Sequence, residues 1–283
     1  MYQWLIDHKI PLGATMASFV DFLTTQFQVV FDVISIVLET GIDGLTDALL
    51  AIPPLALIAA IAAGAWWLHR SVGLVVFIVG GLLLVANLGF WDQTVMTLAQ
   101  VLVATAICVA IGVPVGIAAA HHPRFYAGLR PVLDLMQTVP TFVYLIPTLI
   151  LFGLGVVPGV ISTVIFSIPA PIRLTHLGVS SVPTQLYEAG KAFGATKRQM
   201  LYKVELPYAL PTIMAGITQC IMLALSMVVI AALVGADGLG KPVVRALNTV
   251  NIGMGFEAGL AIVILAIVLD RVCKRPETKR KGH

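Results

Sequence analysis

Gly235, Gly240 and Lys241, in the stretch GADGLGKP (235–242), stand at the spacing of a phosphate-cradling loop. In such a loop backbone amides hold the phosphates, the lysine reaches the terminal ones, and a Ser or Thr binds magnesium. Here Pro242 occupies the magnesium position, and the preceding residues 206–234 read as an apolar helix, not a strand. The stretch therefore reads as a tight Gly turn that could face another protein. Other chemistry-bearing residues do not converge either. His121 and His122 are adjacent, a spacing that does not put two imidazoles on one helix face for a metal. Cys108, Cys220 and Cys273 lie in or at the end of apolar runs, odd in number and without zinc spacing, so they read as small apolar packers. No metal site and no nucleophile–base set is expected. Glu257 is the one carboxylate inside an apolar run, which makes it a functional candidate. It lies near the run's outer end, from where it can snorkel to water.

The elements that must position these residues are membrane helices. The chain is 59% hydrophobic and 11% charged, with a mean hydropathy of +0.98, whereas a soluble domain carries about 25% charged residues. Residues 1–10 (MYQWLIDHKI) lack the basic start and apolar run of a secretory signal. A span needs roughly 20 apolar residues, and a central charge is costly. Charge-free runs fall at 48–69, 71–91, 93–123, 135–172 and 206–236, with a weaker candidate at 252–271. The run 135–172 is long enough for two spans, and Val157-Pro158-Gly159 suggests a reversal there. The fold class is thus an all-α polytopic membrane protein of about seven spans. Placing the loop 188–207 in the cytoplasm puts most basic residues inside: Arg70, Arg124, Arg130, Arg173, Lys191, Lys197, Arg198, Lys203 and the tail from Arg271. Lys9, Lys241 and Arg245 remain outside. The N-terminus is then periplasmic and the C-terminus cytoplasmic.

Ahead of the spans, Asp21, Gln28, Asp32, Ser35 and Glu39 recur at helical spacing among Phe19, Leu23, Phe27, Phe31, Ile34 and Leu38. This predicts an amphipathic helix over about 15–40, lying along the outer surface. The domain reading is therefore an outer segment 1–47, a membrane domain 48–272 and a basic cytoplasmic tail 273–283.

The stretch EAGKAFGATKRQMLYKVELP (188–207) carries six charges between two apolar spans. Residues 185–193 suit a short helix that Gly194 can end in a left-handed conformation. Residues 196–205 suit a second short helix capped by Thr196, and Pro207 and Pro211 should break or restart the chain. Glu188-Ala189-Gly190, then Gly194, then Val204-Glu205-Leu206-Pro207 resemble the EAA loop of importer-type ABC permeases, with Gly190 in place of Ala and Val204 in place of Ile. Residues 136–179 and 222–240 are similar to the permeases of glycine betaine, choline and proline betaine importers, and 235–271 looks most like the choline type.

This resemblance implies a type I ABC importer transmembrane domain (MetI-like) in the cell inner membrane. It implies a homodimer whose loops 185–207 dock on a cytoplasmic ATPase, with a periplasmic substrate-binding protein on the other side. ATP and magnesium would sit on the ATPase; this chain would bind no cofactor and no nucleic acid and do no chemistry. The pore would run between the two copies. A quaternary ammonium ion has no N–H donor and is held by aromatic faces, so Phe142 and Tyr144, beside Gln137, Thr138 and Thr141, are candidate pore residues together with Glu257. The competing expectation is a stand-alone ion-coupled transporter, for which Pro140, Pro147, Pro169 and Pro171 supply possible helix breaks. The absence of a mid-span carboxylate counts against proton coupling.

Overall fold

The structure is a computed structural model describing residues 11–274; the expectations for residues 1–10 and for the tail beyond Lys274 fall outside these. The described chain is helical throughout. Helix α1 (Leu12–Leu50) leaves helical geometry at Phe27 and stops at Pro53-Pro54, where Pro54 opens α2 (Pro54–His69). Arg70 turns the chain in a left-handed conformation, and the Ser71 hydroxyl accepts from Leu74 N–H to cap α3 (Val72–Asn87). There follow α4 (Trp91–His121), α5 (Pro123–Thr138), α6 (Thr141–Phe152), α7 (Val156–Ser167) and α8 (Pro169–Ser180). The chain ends with α9 (Thr184–Ala192), α10 (Lys197–Met200), a π-helical turn Leu201–Glu205, α11 (Leu206–Ala232), α12 (Gly240–Asn248) and α13 (Ile252–Cys273).

Four stretches are long and apolar enough to cross a membrane as they stand: Trp91–His121, Val156–Ser180, Lys197–Ala232 and Ile252–Cys273. Two more are bent pairs, α1 with α2 at 99° and α5 with α6 at 95°. With the shorter apolar α3 this gives the seven passes expected. Three boundaries differ from expectation. The reversal inside 135–172 is at Gly153-Leu154-Gly155, where both glycines have positive φ (76° and 138°). Pro158 instead lies in the first turn of α7, where an amide has no intrahelical partner to lose. Pro207 and Pro211 do not break the chain, since Lys197–Ala232 is one 36-residue helix; Pro207 sits in the first turn of α11, immediately after the π turn. Helix α1 runs ten residues further than expected. Its C-terminal part docks on the bundle, with Ile42 buried against Ala104 and Val160 and Phe31 edge-on to Phe152 at 5.3 Å.

The centre is α4, α8 and α11 in close approach. A side-chain carbon on Gly116 would lie 2.6 Å from Thr175 Cβ and 2.7 Å from the Ile172 carbonyl oxygen, so only glycine allows α4 and α8 this near. Gly112, one turn before Gly116 on α4, likewise faces Pro171 of α8, whereas Gly259, four residues after Gly255 on α13, meets nothing within 4 Å. Around the centre, Ile78, Leu82, Val85, Val101, Leu225 and Ile264 join α3 and α13 to it.

Candidate functional site: a docking segment at the basic end and a cleft at the other

Contacts between distant residues define two ends. At one, His69 Nε2 lies 3.2 Å from the Val272 carbonyl, Arg173 pairs with Asp134 at 2.6 Å, and Tyr126 stacks on His176. This end carries the basic residues from Arg70 to Lys274 apart from Lys241 and Arg245. At the other end Gly155 N–H donates to the Val234 carbonyl, Gln100 Nε2 to the Asp237 carbonyl, and Leu239 N–H to Thr97 Oγ1.

The segment 184–207 occupies the basic end. Helix α9 begins after Pro183 and ends where Gly194 (φ 72°) reverses the chain. Gly194 N–H donates to the Lys191 carbonyl and Ala195 N–H to the Gly190 carbonyl, closing the helix terminus. Thr196 then forms a reciprocal capping box with Gln199. The turn and the cap are where the sequence put them.

Gly190 has a packing reason. A Cβ there would be 2.6 Å from Met200 Cε, and the buried Met200 takes the space an alanine would claim. None of the nine residues of α9 is buried, so Glu188 and Ala189 stand exposed, and Phe193 at its tip is 92% exposed. Leu186, Tyr187 and Tyr202 are exposed as well. A nine-residue helix is marginal in water on its own propensity. This one is closed at its C-terminal end by the Gly194 reversal and braced by Gly190 on Met200, and it presents Leu186 and Tyr187 outward. Of the other motif residues, Val204 is half-buried, Leu206 packs with Val179 and Ala209 against α8, and Pro207 is exposed.

Sequence reasoning places Glu205 in the cytoplasmic loop motif but misses its burial and its partner. Glu205 closes the π turn, is 5% exposed, and its Oε2 accepts from His121 Nε2 at 2.8 Å. The partners are 84 residues apart, so no local pattern could have joined them. His122, by contrast, turns back to the Ala118 carbonyl.

At the opposite end a cleft of about 900 Å³ lies between the start of α4, the 237–242 turn and the start of α13. Asp237, Lys241, Arg245, Glu257, Gln93 and Phe90 line it. Lys241 forms an ion pair with Asp237, and Gly240 opens a helix after another helix, so no phosphate loop is built here. Glu257 is exposed in this cleft, in the second turn of α13, whose Met254 amide is capped by Asn251.

The remaining candidate pore residues gather elsewhere. Gln137, Thr138, Thr141, Phe142 and Tyr144 surround the α5–α6 bend. The Tyr144 hydroxyl donates to the Met136 carbonyl at 2.8 Å, satisfying an oxygen that the end of α5 leaves free, so its ring braces the bend. Phe142 is exposed beside it. Five of the six thus lie at one bend; Glu257 does not.

Residues 112–274 match the family described as "binding-protein-dependent transport system inner membrane component". The chain belongs to this permease family. Among its relatives, the glycine betaine transport system permease protein OpuAB of Bacillus subtilis is 48% identical over 275 residues, 97% of each chain. The glycine betaine/proline betaine permease ProW of Escherichia coli is 45% identical over 94% of this chain and 75% of its own. The choline permease OpuBD of B. subtilis is 37% identical over 56% of this chain and 67% of its own. The fold is that of the inward-facing MetNI methionine ABC transporter, with a TM-score of 0.56 at 24% identity over 61% of this chain and 87% of that one. The expected family and MetI-like fold are both met.

Proposed function

We propose that this chain is the membrane subunit of an ABC importer for quaternary amines, two copies forming the pore. The observation that carries the coupling role is α9: a helix without a buried residue, ending on Phe193, in the segment that resembles an ATPase-docking loop. In water that surface would be a cost; a groove on an ATPase would cover it. The basic end is then cytoplasmic, by the excess of Lys and Arg, with the N-terminus periplasmic and the C-terminus cytoplasmic. The cleft at the opposite end faces the periplasm, where a binding protein would deliver the solute. ATP and magnesium act on the partner ATPase. ATP closes the ATPase dimer, α9 is carried with it, and the pore changes its open side. ATP and the loaded binding protein can drive this because each binds the two states differently.

The quaternary-amine class rests on relatives named for glycine betaine that align over nearly the whole chain. Choline as the particular solute rests on the likeness of 235–271 to choline-type permeases. Quaternary ammonium passage suits the α5–α6 bend, where an exposed Phe142 offers an aromatic face next to Thr138, Thr141 and Gln137. The test is uptake of labelled choline and labelled glycine betaine, with and without this gene, each competed by the other. Gene-dependent uptake of either supports the class. Betaine-resistant choline uptake supports choline selectivity. Uptake that persists without any partner ATPase would instead favour an ion-coupled transporter.

A further inference from the structure

The His121–Glu205 contact ties the segment proposed to dock to the end of α4, away from the α5–α6 bend. Glu205 ends the π turn that separates the docking segment from α11; His121 is the last residue of α4. A carboxylate withdrawn from water this far needs a partner, and among the described residues its hydrogen-bond partner is His121. The π turn contributes too. One extra residue per turn sets the side chains before it about 100° out of register with α11. The docking segment can thus turn Met200 onto Gly190 and Glu205 onto His121, while α11 keeps Ala209 and Ile213 against Val179 of α8.

We propose that His121 and Glu205 are positioning residues for transport. Their contact links the docking segment directly to α4, so that movement of the segment is passed to α4 and α11 together rather than absorbed in the π turn. This rests on the ATPase-docking reading above but not on the identity of the solute.

The test uses the permease assembled with its ATPase in membranes. Thr138→Cys, exposed at the α5–α6 bend, serves as a thiol-labelling reporter in a Cys273→Ser background; Cys108 and Cys220 are buried. The readout is the change in labelling rate when ATP, magnesium and vanadate trap the assembly. His121→Leu leaves a buried carboxylate unpaired and is expected to lower that change at least about tenfold while ATP hydrolysis continues. His121→Gln, which can offer an N–H to the same oxygen, should stay within about twofold of the parent. If His121→Leu inserts poorly, the double variant His121→Ala, Glu205→Leu removes both polar partners and should fold, since it leaves no buried polar group without a partner. It too should lose the labelling response.

A full response in the double variant, or equal loss in His121→Leu and His121→Gln, overturns the proposal. So does a response and a hydrolysis rate that fall together with the amount inserted, which marks a purely structural contact. Absence of glycine betaine or choline uptake by the unaltered assembly counts against the solute reading alone, because the labelling response needs no solute.

Discussion

The two ends of the molecule are ordered by opposite means. At the basic end, the segment from α9 to α10 holds its shape by short-range contacts: a glycine reversal, the capping box of α10 and one Gly–Met contact. Its surface is bare. At the other end the 234–239 turn is fastened to the bundle by hydrogen bonds from and to Gly155, Gln100 and Thr97, none of them near in sequence. On the docking proposal, one end is a preformed plug for a partner; the other is a rim that the chain completes alone. Substitutions at the first should therefore affect coupling with little change in stability, and substitutions at the second should do the reverse.

The largest effect should come from Gly194→Val. A β-branched residue at φ 72° is strained by about 1–2 kcal/mol, and the reversal it spoils orients the whole plug. Uptake should fall more than about tenfold, since 1.4 kcal/mol at the docking step is already that factor. The amount in the membrane, measured by immunoblot, should be unchanged; a matching loss of protein would break the distinction. Phe193→Ser comes next. With the ring exposed, the isolated permease should melt as before, while ATPase retention on the purified permease weakens about tenfold, the scale of an aromatic anchor. Undiminished retention would mean that the tip lies outside the docking surface.

Thr97→Val reverses the pattern. It leaves the buried Leu239 amide without its acceptor, at about 1–3 kcal/mol, so thermal stability in detergent should drop while uptake per folded molecule holds. If uptake per molecule fell as much as for Phe193→Ser, the rim would belong to the working path. The smallest effect should be Thr196→Ala, which removes one cap at about 1 kcal/mol. A modest fall in transport, with coupling intact, is expected in a titration of uptake against ATPase activity.

How much could be read beforehand follows from the same contrast. Helix ends made by neighbouring residues, such as Gly194 with Lys191 and Thr196 with Gln199, announce themselves because cap and partner lie within four positions. The seven passes were readable because apolar runs of that length have few other homes. The reversal at Gly153-Leu154-Gly155 was misplaced because Val157-Pro158-Gly159 offers the same residue types, and only the fold shows that Pro158 begins a helix. Glu205 looked like one more cytoplasmic charge, since nothing near it announces that a histidine 84 residues away will cover it. Tyr144 was expected as a pore aromatic, and its hydroxyl proves to be engaged by the bend it was expected to line. Local signals encode ends and turns; pairings across the bundle are properties of packing.

The unbroken helix Lys197–Ala232 has a mechanical consequence. Its 36 residues extend about 54 Å, from the capping box to within two residues of Val234. A rod of that length pivoting about its basic end converts a tilt of about 5° into a displacement of about 5 Å at the other. Val234, bonded to Gly155, sits just past the end of that arm. On the docking proposal, a small movement at the basic end is thus enlarged at the opposite end, with the protein's own length as the amplifier.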